Sequence, residues 1–162
     1  MSAFLKLMCV FAFGALLPAG PLDDQTLSDS KRAAIEQAVL EANEQTTRAA
    51  QDLDVDRLFS FMLDTGKGSV IQSGVLVLTR EQALSQTRNN FRGISRIEYR
   101  WKQRHVTVIS PTVALLVGEG ESSATTAQGA TFVTPFAQTA VFVLTGGQWK
   151  ILHAHHSSPV RR

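Results

Sequence analysis

The chain is poor in cysteine, in runs of one charge and in long apolar stretches. Its single cysteine, Cys9, excludes an intrachain disulfide. The formal charge is only +2 and no long basic run occurs, so nothing in the sequence points to nucleic acid. No apolar run reaches the roughly 18–20 residues that a membrane-spanning helix needs. No segment repeats and none is of low complexity. Charged residues make up 19% and apolar residues 44%, which excludes a chain too polar to fold. What remains is 162 residues, enough for one domain with a real core.

The N-terminus differs from the rest. Lys6 is the only charge in residues 1–19, and the apolar run Leu7–Leu17 follows it before Pro18-Ala19-Gly20. A short positive region, an apolar core of that length and a small-residue break predict a secretory signal over 1–19, cleaved near Ala19. The alternative is a retained apolar helix, because Leu17 stands where a small residue is preferred. Cys9 lies inside the apolar run rather than after it, which excludes a lipoprotein reading. Cleavage implies a secreted or periplasmic protein with no cysteine and no stable membrane span. Loss of Lys6 leaves 15 basic residues against 14 acidic ones.

Residues 20–29 read as a flexible segment that ends in N-cap residues, Ser28-Asp29-Ser30. Ile35, Val39, Ala42, Thr46, Ala49 and Leu53 then recur at helical spacing and predict a long helix over 29–51. Asp52-Leu53-Asp54 breaks it and caps a short second helix. Asp64–Gly68 is a turn. Short strands at 69–72 and 75–79 follow, joined at Ser73-Gly74. Thr79-Arg80-Glu81-Gln82 fits a capping box and opens a third helix over 80–91. From Ile94 the period becomes two, with strands ending at Ser110-Pro111, then 112–125, 130–145 and 148–157. Gly146-Gly147 is a hairpin turn of the primed type. Three helices followed by a meander of long strands predict an α+β domain over 30–158, with a tail at 159–162.

Three pieces of this sequence resemble the nuclear transport factor 2-like superfamily, near its SnoaL-like domains and the association domain of calcium/calmodulin-dependent protein kinase. They are the first helix with Asp52-Leu53-Asp54-Val55-Asp56-Arg57-Leu58-Phe59, the Thr79-Arg80-Glu81 helix start, and Gly147-Gln148-Trp149-Lys150-Ile151-Leu152-His153-Ala154-His155-His156-Ser157. The last matches a Trp-x-Ile-x-His-x-His-x-Ser ending. The resemblance implies a cone-shaped, curved antiparallel sheet wrapped around three N-terminal helices. It also implies a pocket inside the cone and a homodimer through the convex face. Such domains include isomerases, dehydratases, hydrolases and non-catalytic binding or assembly modules, so the fold alone does not fix the function.

The candidate chemical groups are few. On an unbroken strand His153 and His155 share a face with Trp149 and Ile151, and His156 faces the other way with Lys150, Leu152 and Ala154. His153 and His155 are read as interface or rim residues, and His156 as a ligand or general-base candidate. A two-residue hairpin loop puts Ala140 and Phe142 on the Trp149 face. A three-residue loop with a bulge puts them on the His156 face, and the sequence leaves both open. Glu119 and Glu121 share a face of one strand. Glu119, facing an apolar cone, is the preferred acid or base. Tyr99 and Trp101 share a face and are candidates to line the pocket, with Arg100 and Arg104 opposite. His153 and His155 could supply two zinc ligands, but nothing fixes His105 or Glu119 as the third, so neither metal nor cofactor is expected.

The Asp residues of known catalytic sets of this fold have no counterpart, because no long strand contains Asp. The expected function is an exported module binding a small, largely apolar molecule through Tyr99, Trp101, Glu119 and His156. The alternatives are an isomerase- or dehydratase-type enzyme using Glu119 or His156 as base, and a non-catalytic homo-oligomerisation module.

Overall fold

The computed structural model describes residues 27–67, 69–72 and 74–159. The expected signal at 1–19, most of the expected flexible segment and residues 160–162 of the tail lie outside the described residues. So do Gly68 of the expected turn and Ser73 of the expected hairpin loop.

Local signals in the sequence form the helices. In α1 (Asp29–Gln51) the Ser28 side chain accepts a hydrogen bond from the Lys31 amide. In α2 (Val55–Ser60) Asp54 does the same for Arg57 at 2.9 Å. In α3 (Arg80–Phe91) Thr79 does so for Gln82 at 3.1 Å. Each cap satisfies an amide that the helix leaves unpaired. The buried face of α1 runs through Ile35, Val39, Asn43, Thr47, Ala49 and Ala50, with Ala42 and Thr46 of the expected face half-buried beside it. Asn43 and Thr47 thus bring two polar side chains inward.

The strands are β1 (Val70–Gln72), β2 (Val75–Val77), β3 (Ile94–Ser110), β4 (Val113–Thr126), β5 (Thr131–Thr145) and β6 (Gln148–Ser157). They form one curved, unclosed sheet in the order β2-β1-β6-β5-β4-β3. The sheet is mixed rather than wholly antiparallel. β1 runs parallel to β6, with Val70, Ile71 and Gln72 opposite Ala154, His155 and His156. The chain leaves β1, makes β2, a helix and three long strands, and returns beside β1 in the same direction. Gly146 and Gly147 have φ of +56° and +75°, and Leu144 pairs with Trp149, so the β5–β6 loop has two residues.

The helices pack on the inner face of the sheet, where Val39, Phe59, Leu116, Phe142 and Ile151 make the centre of the core. α1 also covers the free edge of β3. Gln51 Oε1 accepts from the Tyr99 amide at 3.0 Å, and Arg32 donates to the Val108 carbonyl at 3.5 Å. A long edge strand left uncovered would be a site for unwanted pairing.

Candidate functional site

The core does not fill the cone. A cavity of about 200 Å³ lies between the three helices and the inner face of the sheet. Its sheet wall carries Tyr99 and Trp101 from β3, Phe136 and Gln138 from β5, and His156 from β6. Of the candidate residues Tyr99, Trp101, Glu119 and His156, the first two and the last line this cavity.

His156 reaches this wall by a different route from either expected register. The two-residue loop pairs Leu144 with Trp149, and Phe142 pairs with Ile151. The next pair is Val141 with His153, so Leu152 is an extra residue, a β-bulge. Beyond it the alternation is reversed. Ala154 and His156 face inward with Ile151, while His153 and His155 face outward. The expected grouping of His153 and His155 with Trp149 and Ile151 is corrected by that one residue.

The same device acts in β3. Trp101 pairs with Gly120 and Gln103 with Glu119, so Lys102 is the extra residue. Arg104, expected opposite Trp101, comes to the inner face and stacks over the Trp101 ring at 5.4 Å from its centroid. The glycines of β4 leave space for these groups. A Cβ at Gly118 would lie 2.8 Å from the Gln103 carbonyl oxygen and 3.0 Å from Trp101.

Gly118 and Gly120 occupy the inward positions of β4, which puts Glu119 on the outer face. There it is exposed and accepts from Gln103 Nε2 at 2.9 Å, and it does not line the cavity. The expectation of an inward Glu119 is thus corrected by the parity of the two glycines. Glu121 lies on the same outer face, where its hydrogen bond and ion pair with Lys102 hold its carboxyl below the usual range. Among the described residues no three His, Cys, Asp or Glu side chains converge as a metal site would require.

The helix wall of the cavity is tied to β3 by a closed circuit. Arg104 Nη1 donates to Asn43 Oδ1 at 3.0 Å and contacts Glu44 at 3.3 Å. The Thr47 hydroxyl donates to the Asn43 backbone carbonyl at 3.0 Å. Trp101 Nε1 donates to that same hydroxyl at 3.3 Å. The stacking of Arg104 on Trp101 completes the ring.

Among the described residues no Asp, Glu, Lys or Arg lines the cavity. Burial favours the neutral form of the two titratable groups among the described lining residues, Tyr99 and His156. Desolvation raises Tyr99 above the ordinary phenol value. Desolvation first, then the nearby His155, lowers His156 to about 4. Near pH 7 the wall thus offers a phenol, an uncharged imidazole, carboxamides, hydroxyls and aromatic faces. Asn43 and Gln138, 2% and 7% exposed, were not singled out by the sequence reading. Their signal is visible in hindsight: each is a polar residue on an otherwise apolar line, 35–39–43 in α1 and 136–138–140–142 in β5.

A sequence profile of the SnoaL-like domain matches residues 39–161. No curated protein matches the chain in sequence. Solved structures share the fold at low identity. One, provisionally named a dehydratase of the NTF2-like family from Streptomyces avermitilis, is 21% identical, with a TM-score of 0.71 over 80% of this chain and 99% of its own. A second, provisionally named a scytalone dehydratase from Novosphingobium aromaticivorans, is 9% identical, with a TM-score of 0.74 over 82% and 89%. A third, LinA, is 16% identical, with a TM-score of 0.70 over 83% and 92%. A type 2 LinA, a hexachlorocyclohexane dehydrochlorinase, is 15% identical, with a TM-score of 0.69 over 82% and 90%.

Proposed function

The chain belongs to the SnoaL-like domain family, and from that premise we propose that its inner cavity holds a small, uncharged, largely apolar molecule. The observation that carries this reading is a cavity of about 200 Å³ with aromatic walls and, among the described residues, no charged lining side chain. An ionised ligand would lose its hydration there with no counter-charge to offset the loss. A neutral ring compound with one or two polar atoms would meet Tyr99, Gln138 and His156. Glu119 has no part in this reading, because it faces outward.

The test is a pair of probes of similar size, benzyl alcohol and benzoate. In a Trp149→Phe variant the Trp101 indole N–H is the sole tryptophan reporter. Benzyl alcohol is expected to shift its NMR resonance in a saturable way, and benzoate at pH 7 is expected to leave it unmoved. Equal response to both, or to neither, would overturn the reading.

A second reading is an isomerase- or dehydratase-type enzyme with His156 as general base. It is favoured by an imidazole that stands unprotonated on the cavity wall at neutral pH, beside a phenol that keeps its proton. The names of the dehydratase and dehydrochlorinase structures are consistent with such chemistry. A base near pKa 4 is nevertheless weak for taking a proton from carbon, which ranks binding ahead of catalysis. Loss of a detected turnover in His156→Gln, with ligand binding kept, would reverse that ranking.

We extend the proposal to export and pairing. The Lys6-led apolar run supports export, and mass spectrometry of the protein recovered from medium or periplasm would locate the cut near Ala19. The outer face carries Leu115, Val117, Val141 and Val143 on neighbouring strands, which supports a homodimer. Sedimentation of the cleaved protein tests it, and a monomer at micromolar concentration would refute it. A pure assembly module has no use for an open cavity and ranks last.

A further inference from the structure

Arg104 does not line the cavity, yet it acts on a residue that does. Asn43 is 2% exposed, sits on the cavity side of α1, and could in principle present either end of its carboxamide. A guanidinium has five donors and no acceptor. The 3.0 Å contact from Arg104 Nη1 therefore requires the carbonyl oxygen of Asn43 to face Arg104. The other end, the Nδ2 amide, is left to donate.

The guanidinium is itself fixed from two further sides, by Glu44 at 3.3 Å and by the Trp101 ring. Asn43 is fixed through its backbone carbonyl, which accepts from Thr47. The pair therefore has one arrangement rather than two. Gln138, on the opposite wall and 7% exposed, has no side-chain hydrogen bond among the described residues, so only one of the two buried carboxamides is oriented in advance.

We propose that Arg104 is a positioning residue for ligand specificity: it locks Asn43 so that the helix wall of the cavity presents a hydrogen-bond donor, selecting neutral ligands that carry an acceptor such as a carbonyl oxygen. The proposal rests on the ligand-holding cavity proposed above. It assigns Arg104 no contact with the ligand.

The experiment compares cyclohexanone with methylenecyclohexane, which has nearly the same shape and no oxygen. Affinities are read from the Trp101 indole N–H in the otherwise native chain. The native protein is expected to favour the ketone by about three- to tenfold, the worth of one net hydrogen bond. Arg104→Met should bring that ratio close to one while leaving the hydrocarbon's affinity unchanged. Arg104→Lys, which still donates, should restore most of it. Asn43→Asp keeps the contact as an ion pair and has no amide, so it too should abolish the ratio. That variant remains informative if Arg104→Met fails to fold. An undiminished ketone preference in Arg104→Met or in Asn43→Asp overturns the proposal alone. Binding of neither probe to the native protein overturns the cavity reading and this proposal with it.

Discussion

Trp101 stands edge-on to Phe136, with ring centroids 5.0 Å apart and planes at 81°; the Trp101 ring lies against Gly118 and the Phe136 ring against Gly120. A Cβ built on Gly120 would lie 2.4 Å from the Arg100 carbonyl oxygen and 3.0 Å from Phe136 Cζ. The nearer atom is backbone, so no side-chain rotation relieves the clash. Gly120→Ala is expected to cost about 1–3 kcal/mol, the usual penalty of overpacking. Urea unfolding measures it, and an unchanged midpoint would show that the sheet can open here.

His156 ties stability to acidity. Its folded pKa is about 4, against an ordinary 6.5. Between these values the unfolded chain binds a proton that the folded chain refuses. Stability is therefore expected to fall as pH drops from about 6.5 towards 4, and this contribution is level above that window. His156→Gln removes this slope but not those of other groups. Unfolding free energies of the two proteins at pH 7, 5.5 and 4.5 check the point. Parallel curves would mean that the imidazole is not buried as described.

The bulge at Leu152 yields a pair of contrasting deletions. Removing Leu152 preserves every β5–β6 pair, because Phe142–Ile151 is already followed by Val141–His153. His156 should remain in the cavity and keep its low pKa. Removing His155 slides His156 into the outward slot opposite Thr139, where its pKa should return to the ordinary range. Histidine titration by NMR separates the two. A low pKa surviving in the second deletion would refute the assignment of the bulge.

Leu53 is the one described non-glycine residue with positive φ, at +56°. It turns the chain from α1 into α2, with the Asp54 amide bonded to the Ala49 carbonyl at 3.0 Å. A left-handed leucine is strained by about 1–2 kcal/mol, and glycine is not. After the entropy glycine adds to the unfolded chain, Leu53→Gly is expected to stabilise by about 0.5–1 kcal/mol. Thermal melting shows the sign, and a lowered midpoint would mean that the half-buried leucine side chain outweighs its backbone.

The elements were legible because their signals are local. Caps at Ser28, Asp54 and Thr79, the Gly146-Gly147 turn and the change to period two at Ile94 each depend on a few adjacent residues. Which residue faces the cavity depends on counting by twos along a strand. That count fails at Lys102 and Leu152, where one extra residue reverses every side chain beyond it. Tyr99 and Trp101 lie between the irregularity at Ser95 and the bulge at Lys102 and keep their shared face, whereas Arg104 and the histidines follow bulges and change theirs. Glu119 faces outward for another reason: its flanking glycines, Gly118 and Gly120, take the inward positions of β4. The parallel β1–β6 ladder was not legible at all, since it joins segments about eighty residues apart with no shared local pattern.

That ladder has a consequence for the order in which the molecule is made. Among the described strands the β1–β2 hairpin joins the rest of the sheet through β6, which leaves the ribosome after all the others. Until then β1 has one bare side and the cavity lacks the wall that carries His156. Contacts of such long sequence separation slow folding. A nascent chain stopped at the Gly146-Gly147 turn would hold the helices, the β1–β2 hairpin and the three paired long strands but no finished cone, and completion waits on β6.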